Sequence, residues 1–394
     1  MLPMHGSPGA KTAAASEGSQ TAADTDSLVR ELVEDGFEFR LLDSSEITAT
    51  VAEEMVALFR AGFGRWPYHD PGVCAVDHLR WKTSGPVTRV GSLHCRLDGR
   101  LVFANTAFGN WVRLRGVRRL RLVLPDATVD PAARGRRIYS RSVEYRNRVV
   151  RTPWDFSMHE RSSSDRLEQR LAREGRRPLG NRIAVLHRVL RPVRPKAASR
   201  GDEDRSPPAV MTALWALGRL VAAVARPKSR LRVAPGTLDA RFDRLFEEAA
   251  SSFDCIAERT GEFLRWRYGD RRAGPFVVRT VAEGDRLLGY LVLRSGAATA
   301  YVADLLALPG REDVVDVLVG DAVDLAAKAG TALVGCWLPR RHPYRRSLVR
   351  HGFFVTRRDA GVSYHAVDMD PEELRFLEDP QTRVHYTIGD TDLV

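Results

Sequence analysis

The sequence predicts an α/β protein made of two tandem, similar halves, each a central mixed β-sheet flanked by helices. Three observations predict it. The tetrapeptide Leu79-Arg80-Trp81-Lys82 recurs as Leu264-Arg265-Trp266-Arg267, each time at the end of a helical pattern. Each copy is followed by two strand-like runs joined by a tight turn, and a shared order of elements marks a duplicated unit. Strand and helix patterns then alternate to the end of each half, which favours α/β layers around a mixed sheet.

The elements follow in order. Residues 1–27 are rich in Ala, Gly, Ser and Thr, and read as a disordered tail. The first half spans 28–194. Its hairpin pairs Val90–Leu97 with Leu101–Phe108 across Asp98-Gly99, a strong turn signal between apolar runs. A strand at Leu120–Val129, a loop at Asp130–Arg137 and a helix at Ile138–Val149 come next, then a strand-like run at Trp154–Met158. Residues 195–235 form a linker with an inserted helix. Arg191–Pro208 combines Pro, Arg, Ser and Asp, while Ala209–Ala225 is rich in Ala and Leu and reads as helical. That helix could pack on a domain, mediate dimerisation or lie on a membrane surface, and packing is the simplest of the three.

The second half spans 236–394. Phe242, Leu245, Phe246 and Phe253 lead into it, and its hairpin pairs Phe276–Ala282 with Leu287–Arg294 across Glu283-Gly284-Asp285. A strand at Ala300–Leu306 runs into Pro309-Gly310-Arg311. Val314, Val315, Leu318, Val319, Ala322, Leu325 and Ala326 then mark a helix with one apolar face. Gly330 caps it, and a strand at Thr331–Leu338 and a short helix at Tyr344–Arg350 complete the half.

Composition narrows the function classes. At roughly 150 residues per domain, a chain of 394 residues has room for two or three domains. The most apolar run, 209–225, is interrupted by Thr212, Gly218 and Arg219 and falls short of the roughly 20 residues that span a bilayer. No signal-peptide block is present. Cys74, Cys95, Cys255 and Cys336 form no C-x-x-C pair, which argues against a zinc knuckle or disulfide framework and fits a reducing cytoplasm. The net charge is +11, and only 5 of the 61 basic residues are lysines. Such arginine suits phosphate and carboxylate, yet its spread along the chain reads mainly as compositional bias, and nucleic acid is not the expected partner. No P-loop, G-x-S-x-G or H-E-x-x-H motif occurs, which disfavours nucleotide hydrolases, serine hydrolases and zincins.

Candidate chemistry concentrates at Asp126–Arg141. A strand, a glycine-containing turn and a helix form an anion site, because the first helical N–H groups lack internal partners at the positive end of the macrodipole. Arg134, Arg136, Arg137 and Arg141 add full charge there, and a pyrophosphate would offset their repulsion. The bland alternative is a surface turn with solvated arginines. In the second half, the helix opens Arg311-Glu312-Asp313, whose carboxylates would repel such a ligand, so that turn reads as structural.

The stretch Asp126-Ala127-Thr128-Val129-Asp130-Pro131-Ala132-Ala133-Arg134-Gly135-Arg136-Arg137-Ile138-Tyr139 resembles the acyl-coenzyme A binding motif of the GNAT N-acetyltransferase superfamily, a strand followed by Pro-x-x-Arg-Gly-x-Gly-Ile and a helix. The Trp81-Lys82 element and Leu348-Val349-Arg350-His351-Gly352-Phe353 are also similar to that superfamily, and the likeness covers roughly 37–367 as two tandem domains. The resemblance implies transfer of an acetyl group from acetyl-CoA to the amine of a small molecule or sugar, with the acyl-CoA site in the first half and a degenerate second domain. It implies that pantetheine lies along Ala127, Thr128 and Val129, and that the pyrophosphate rests on the turn formed by Arg134, Gly135, Arg136, Arg137, Ile138, Tyr139 and Ser140. A strand-edge N–H near Thr128 would hold the developing oxyanion, and Pro125, lacking an N–H, would splay the strand. The sequence departs from the pattern at Arg137 and Tyr139, which stand where the superfamily has small residues; amides can bind phosphate there provided φ stays negative at Arg137. No metal is expected.

Asp126 is the best-placed general base, and Tyr139 is a candidate acid for the leaving thiolate. Tyr145 and His159 are further candidates, although each has an ordinary packing role. Asp304 takes the place of Asp126 in the second half. The competing functional class is a catalytically inactive tandem binding module for a partner or nucleic acid, favoured by the alternating Arg113, Arg115, Arg119 and Arg121. A homodimer is compatible with either reading.

Overall fold

The computed structural model describes residues 30–66, 72–87, 90–148, 155–160, 169, 172–173, 175–192, 208–225, 229–296 and 298–391. The expected tail, part of the linker region (193–207 and 226–228) and Trp154 lie outside these residues, as does the side chain of His159.

The first half opens with β1 (Phe37–Asp43) and the helices Ala49–Phe63 and Ala75–Lys82. Two hairpins follow: β2 (Val90–Leu97) with β3 (Arg100–Thr106), then β4 (Phe108–Leu114) with β5 (Val117–Val123). Both turn on two residues with positive φ, Asp98-Gly99 and Arg115-Gly116, whose twist matches the strands they join. Next come β6 (Thr128–Val129), the helix Ile138–Arg148, β7 (Phe156–Glu160), β8 (Arg177–Pro178) and β9 (Ile183–Val189). The linker helix spans Pro208–Ala225. The second half contributes β10 (Ala234–Pro235), the helix Arg241–Ala250, β11 (Cys255–Ala257), the short helix Gly261–Leu264, β12 (Phe276–Glu283) and β13 (Arg286–Arg294). It continues through β14 (Thr299–Ala307), the helix Glu312–Lys328, β15 (Leu333–Pro339) and the helix Arg345–Arg350. It closes with β16 (Phe354–Ala360), β17 (Val362–Ala366) and β18 (Val384–His385).

These strands form three sheets, ordered β1-β2-β3-β6, β10-β12-β13-β14-β15-β9-β16 and β18-β11-β4-β5-β7-β17-β8. The halves therefore exchange strands. β9, from before residue 194, lies between β15 and β16, while β17 returns to pair with β7 and β8. β8 and β16 stay with their own halves while β9 and β17 cross, and β11 and β18 of the second half also join the first half's sheet beside β4. A cut at residue 194 separates strands that share ladders.

The repeated tetrapeptide lies where the halves meet. Trp81 and Trp266 stack with ring centroids 5.4 Å apart. Each indole N–H donates to the other's main-chain carbonyl, at 2.7 Å from Trp81 and 3.1 Å from Trp266. Equivalent residues of the two copies thus satisfy one another, as a local twofold requires.

The first sheet is covered on both faces. Met55, Phe59 and Leu79 of the first two helices pack with Leu101 and Ala104, while Ile138 packs with Phe37, Phe39 and Phe103. In the second half, Val314, Val315, Leu318, Val319, Ala322 and Ala326 are all buried, as the helical pattern requires, and Leu325 is partly exposed. The anticipated strand Leu120–Val129 is instead two strands in two sheets, because the chain bends between Val123 and Thr128. Pro125 cannot donate to a ladder, and Asp126 takes a φ of +52°.

Burial of neutral histidines makes stability depend on pH. Burial, aided by the Lys82 charge, lowers His78 from 6.5 to about 3, and burial, aided by Arg96, lowers His94 to about 4. The unfolded chain takes up these protons near pH 6.5 and the folded chain does not. Stability from this source is therefore full above 6.5 and is lost as the pH falls toward 4. Each group contributes a slope of up to about 1.4 kcal/mol per pH unit in that window. Thermal melts between pH 7.5 and 4.5 should show a steady fall in Tm, and a flat profile would contradict the assignment.

Candidate acyl-donor site

The bend between β5 and β6 creates the site. β5 runs parallel to β7 through Arg121↔Phe156 and Leu122↔Ser157, where pairing ends. β7 continues to Glu160, but the other chain turns away at Leu124–Ala127 and β6 joins β3 instead. A V-shaped opening results between β6 and the end of β7. β6 is an edge strand, with β3 as its partner among the described residues.

The bend is held by polar contacts. Asn105 Nδ2 and Thr106 Oγ1 donate to the Pro125 carbonyl at 2.7 and 3.0 Å. Below it, Lys82 Nζ donates to Asp126 Oδ2 at 2.5 Å, both side chains being 3% exposed. Thr106 Oγ1 approaches the same carboxylate oxygen at 3.4 Å. Lys82 belongs to the repeated tetrapeptide, so the helix that meets the other half also supplies the counter-charge for the bend. Asp130 N–H donates to Val102 C=O at 2.8 Å. Antiparallel alternation then aims the N–H of Thr128 at β3 and that of Val129 at the open edge. Helix Ala49–Phe63 closes on the side chain of Thr128 at Gly62, where an added Cβ would lie 2.0 Å from Thr128 Oγ1.

After β6, Asp130 caps a 3-10 turn at Pro131–Ala133 by accepting from Ala132 N–H at 2.9 Å. Arg134, Gly135, Arg136 and Arg137 are exposed, and a Cβ added at Gly135 would meet nothing within 4 Å. The helix begins at Ile138, and Arg141 N–H donates to Arg137 C=O at 3.0 Å. The amides of Ile138, Tyr139 and Ser140 therefore precede the intrahelical ladder. Arg134 Nη2 reaches the Gly62 carbonyl at 3.4 Å, and no carboxylate faces Arg134, Arg136 or Arg137 among the described residues.

Four expectations change here. Arg137 has a φ of +59°, so the condition set on the sequence, a negative φ at this position, is not met: a side chain occupies a conformation that favours glycine, and the turn keeps the backbone path a glycine would give it. Arg137→Gly should therefore keep the turn and raise stability by up to about 1 kcal/mol in chemical denaturation; a loss of stability would contradict this. Arg141 is drawn off the pole by Asp35, at 2.5 Å, and stands over the Phe37 ring at 5.0 Å. Tyr139 sets its ring edge-on to Phe103, and Tyr145 stacks on Phe39 at 5.3 Å, so both rings join the core. The alternating arginines of β4 and β5 are not an uncompensated row. Arg113 is paired with Glu258 and Glu247, Arg119 with Glu373, and buried Arg121 donates to Asn110 Oδ1. Arg115 lies over the Phe376 ring.

The equivalent opening in the second half is filled. β14 and β15 pair from Thr299↔Leu333 to Val302↔Cys336 and then part. The turn Ile388–Asp390 enters, with Gly389 so close that an added Cβ would lie 2.5 Å from the Ala303 carbonyl oxygen. Asp304 accepts from the Tyr290 hydroxyl at 3.0 Å and faces Arg259, which also binds Asp390 at 2.6 Å. Arg311 is paired with Asp313 at 2.9 Å. Among the described residues, that opening is thus occupied by the turn and its arginine is paired. Separately, a cleft of about 400 Å³ lies between the halves, with Val87, Trp111 and Arg118 on one wall and Asp243, Glu262 and Phe263 on the other.

Sequence reasoning missed Lys82 as a site residue. A signal was present: it is one of five lysines in an arginine-rich chain, at a repeat position where the other copy has Arg267.

The parted parallel strands with an amide-rich turn beside them, set in two similar halves, are an architecture that solved structures share. N-myristoyltransferase from Saccharomyces cerevisiae with bound myristoyl-CoA superposes with a TM-score of 0.55 at 14% identity, covering 84% of this chain and 79% of that one. A probable N-acyltransferase from Enterococcus faecalis gives 0.56 at 13% identity over 85% and 74%. A GCN5-related N-acetyltransferase from Anabaena variabilis gives 0.56 at 10% identity over 84% and 73%. No family model and no curated protein sequence matches the chain. The chain is thus similar in fold to tandem-domain GNAT N-acyltransferases.

Proposed function

We propose that the protein is an N-acyltransferase that moves an acetyl group from acetyl-CoA to the amine of a small-molecule or sugar acceptor, using the opening in the first half. The observation that carries this reading is the contrast between the two openings. The first lies at the open edge of β6 and is flanked by three arginines that face no carboxylate among the described residues, while the second is occupied by the turn Ile388–Asp390 and its arginine is paired.

In this reading the pyrophosphate rests on the amides of Gly135–Ser140 with Arg134, Arg136 and Arg137 around it. The pantetheine arm follows Ala127–Val129, and the outward N–H of Val129 steadies the oxyanion formed as a neutral amine attacks the thioester carbonyl. The C–N bond forms, the C–S bond breaks, the nitrogen loses a proton and the thiolate gains one. Asp126 is assigned to hold the bend rather than to accept that proton, because its carboxylate is bound to a buried ammonium. Tyr139 contributes its backbone amide, its ring being committed to Phe103. The acceptor is assigned to the cleft between the halves, where Asp243 and Glu262 suit a cationic amine. The plugged second half fits the reading of a degenerate domain that supports the first.

The test is release of free CoA thiol from acetyl-CoA across a panel of amino sugars, amino acids and simple amines, with the acetylated product identified by mass. Turnover with one class supports the reading. Absence of both turnover and donor binding would contradict it.

A further inference from the structure

We propose that the helix Pro208–Ala225 is an interfacial anchor that lies flat on an anionic lipid bilayer. Its inner face is narrow: Met211 and Gly218 are buried, with Leu214, Trp215, Val221 and Ala222 half-buried beside them. Gly218 is needed for this contact, since an added Cβ would lie 1.6 Å from Arg188 Nη1 on β9. The outer face is apolar as well. Val210, Ala213, Leu217, Leu220 and Val224 recur every three or four residues and point to solvent, Leu220 being 62% and Val224 81% exposed. A solvent-facing helix surface normally carries charge. Here Arg219 is the one charged residue of the helix, and its guanidinium lies over the Trp215 ring at 5.1 Å.

Charge selects the occupant. From Arg205 to Leu238 the sequence holds six basic residues and no acidic one, the stretch being bounded by Asp202, Glu203 and Asp204 before it and Asp239 after it, and Arg219, Arg230 and Arg232 are exposed. An apolar stripe with Arg219 and an aromatic ring at its margin, followed in sequence by a basic stretch, matches a bilayer interface bearing negative headgroups. A second copy of the same face would bring like charges together. No helix among the described residues is long and apolar enough to cross a membrane, so this one would lie on the surface.

The test is co-sedimentation of the full chain with phosphatidylcholine vesicles, plain or containing about one-third phosphatidylglycerol. Binding is expected to the anionic vesicles only, weakening as salt is raised. Leu217→Glu with Leu220→Glu should reduce it by at least about tenfold, and Arg230→Glu with Arg232→Glu should reduce it by a smaller factor. All four side chains are exposed, so melting curves should match the wild type and exclude misfolding. The proposal is overturned if the wild type stays in solution with both vesicles, or if the Leu217→Glu, Leu220→Glu variant still sediments. It is overturned equally if that variant merely dissociates a homodimer that binds neither vesicle.

Discussion

Replacing Arg136 and Arg137 together by glutamate is expected to weaken acetyl-CoA binding by roughly a hundredfold while leaving the fold intact. Both guanidinium groups are exposed and face no carboxylate among the described residues, so the folded protein loses no ion pair when they are reversed. Surface changes of that kind usually alter stability by less than about 0.5 kcal/mol. The donor's diphosphate, in contrast, would lose two charge-assisted contacts and meet two new negative charges at the helix terminus. Allowing for solvent screening at an open turn, that amounts to about 3 kcal/mol, or roughly a hundredfold in Kd. Calorimetry on the variant beside wild type measures it directly. Unchanged affinity would remove the turn from the donor site.

Removing the buried ammonium beneath the bend should have the largest effect on stability. Lys82→Met leaves the Asp126 carboxylate at 3% exposure without the cation that neutralises it. Breaking a buried pair from one side costs about 3–5 kcal/mol, a large part of the roughly 5–15 kcal/mol that holds a domain together. The double variant Lys82→Met, Asp126→Asn should recover more than half of that loss, because no unpaired charge then remains. Urea denaturation of the two single variants and the double gives the coupling. A loss below 1 kcal/mol for Lys82→Met would show that the pair does not hold the bend.

Much of this was legible in the sequence, and for local reasons. The Asp98-Gly99 turn, the helix beginning at Ile138 and the apolar face of Glu312–Lys328 each depend on residues a few positions apart, and each stands where its pattern put it. The tandem α/β class followed from a repeated order of such elements. The repeated tryptophans proved to be one another's partners across 185 positions, a contact that a tetrapeptide match can flag but cannot describe.

What the sequence hid is non-local. The exchange of β9 and β17 leaves no trace in periodicity, because a strand's alternation does not say which sheet receives it. The Lys82–Asp126 pair spans 44 positions. The residues that plug the second opening come from Ile388–Asp390, far from β14 in sequence. The turn at Arg137 misled for a subtler reason. A side chain at a glycine position signals either a changed conformation or a tolerated strain, and here the left-handed conformation is kept.

In the function proposed above, a short bend in the first half takes a coenzyme while its twin in the second half is closed by the turn Ile388–Asp390. Isothermal titration of the full-length protein with acetyl-CoA tests it most directly. Heat that saturates at one equivalent is expected, with affinity falling roughly a hundredfold when the two turn arginines are reversed. A flat titration at millimolar coenzyme, with folded protein in the cell, would contradict it.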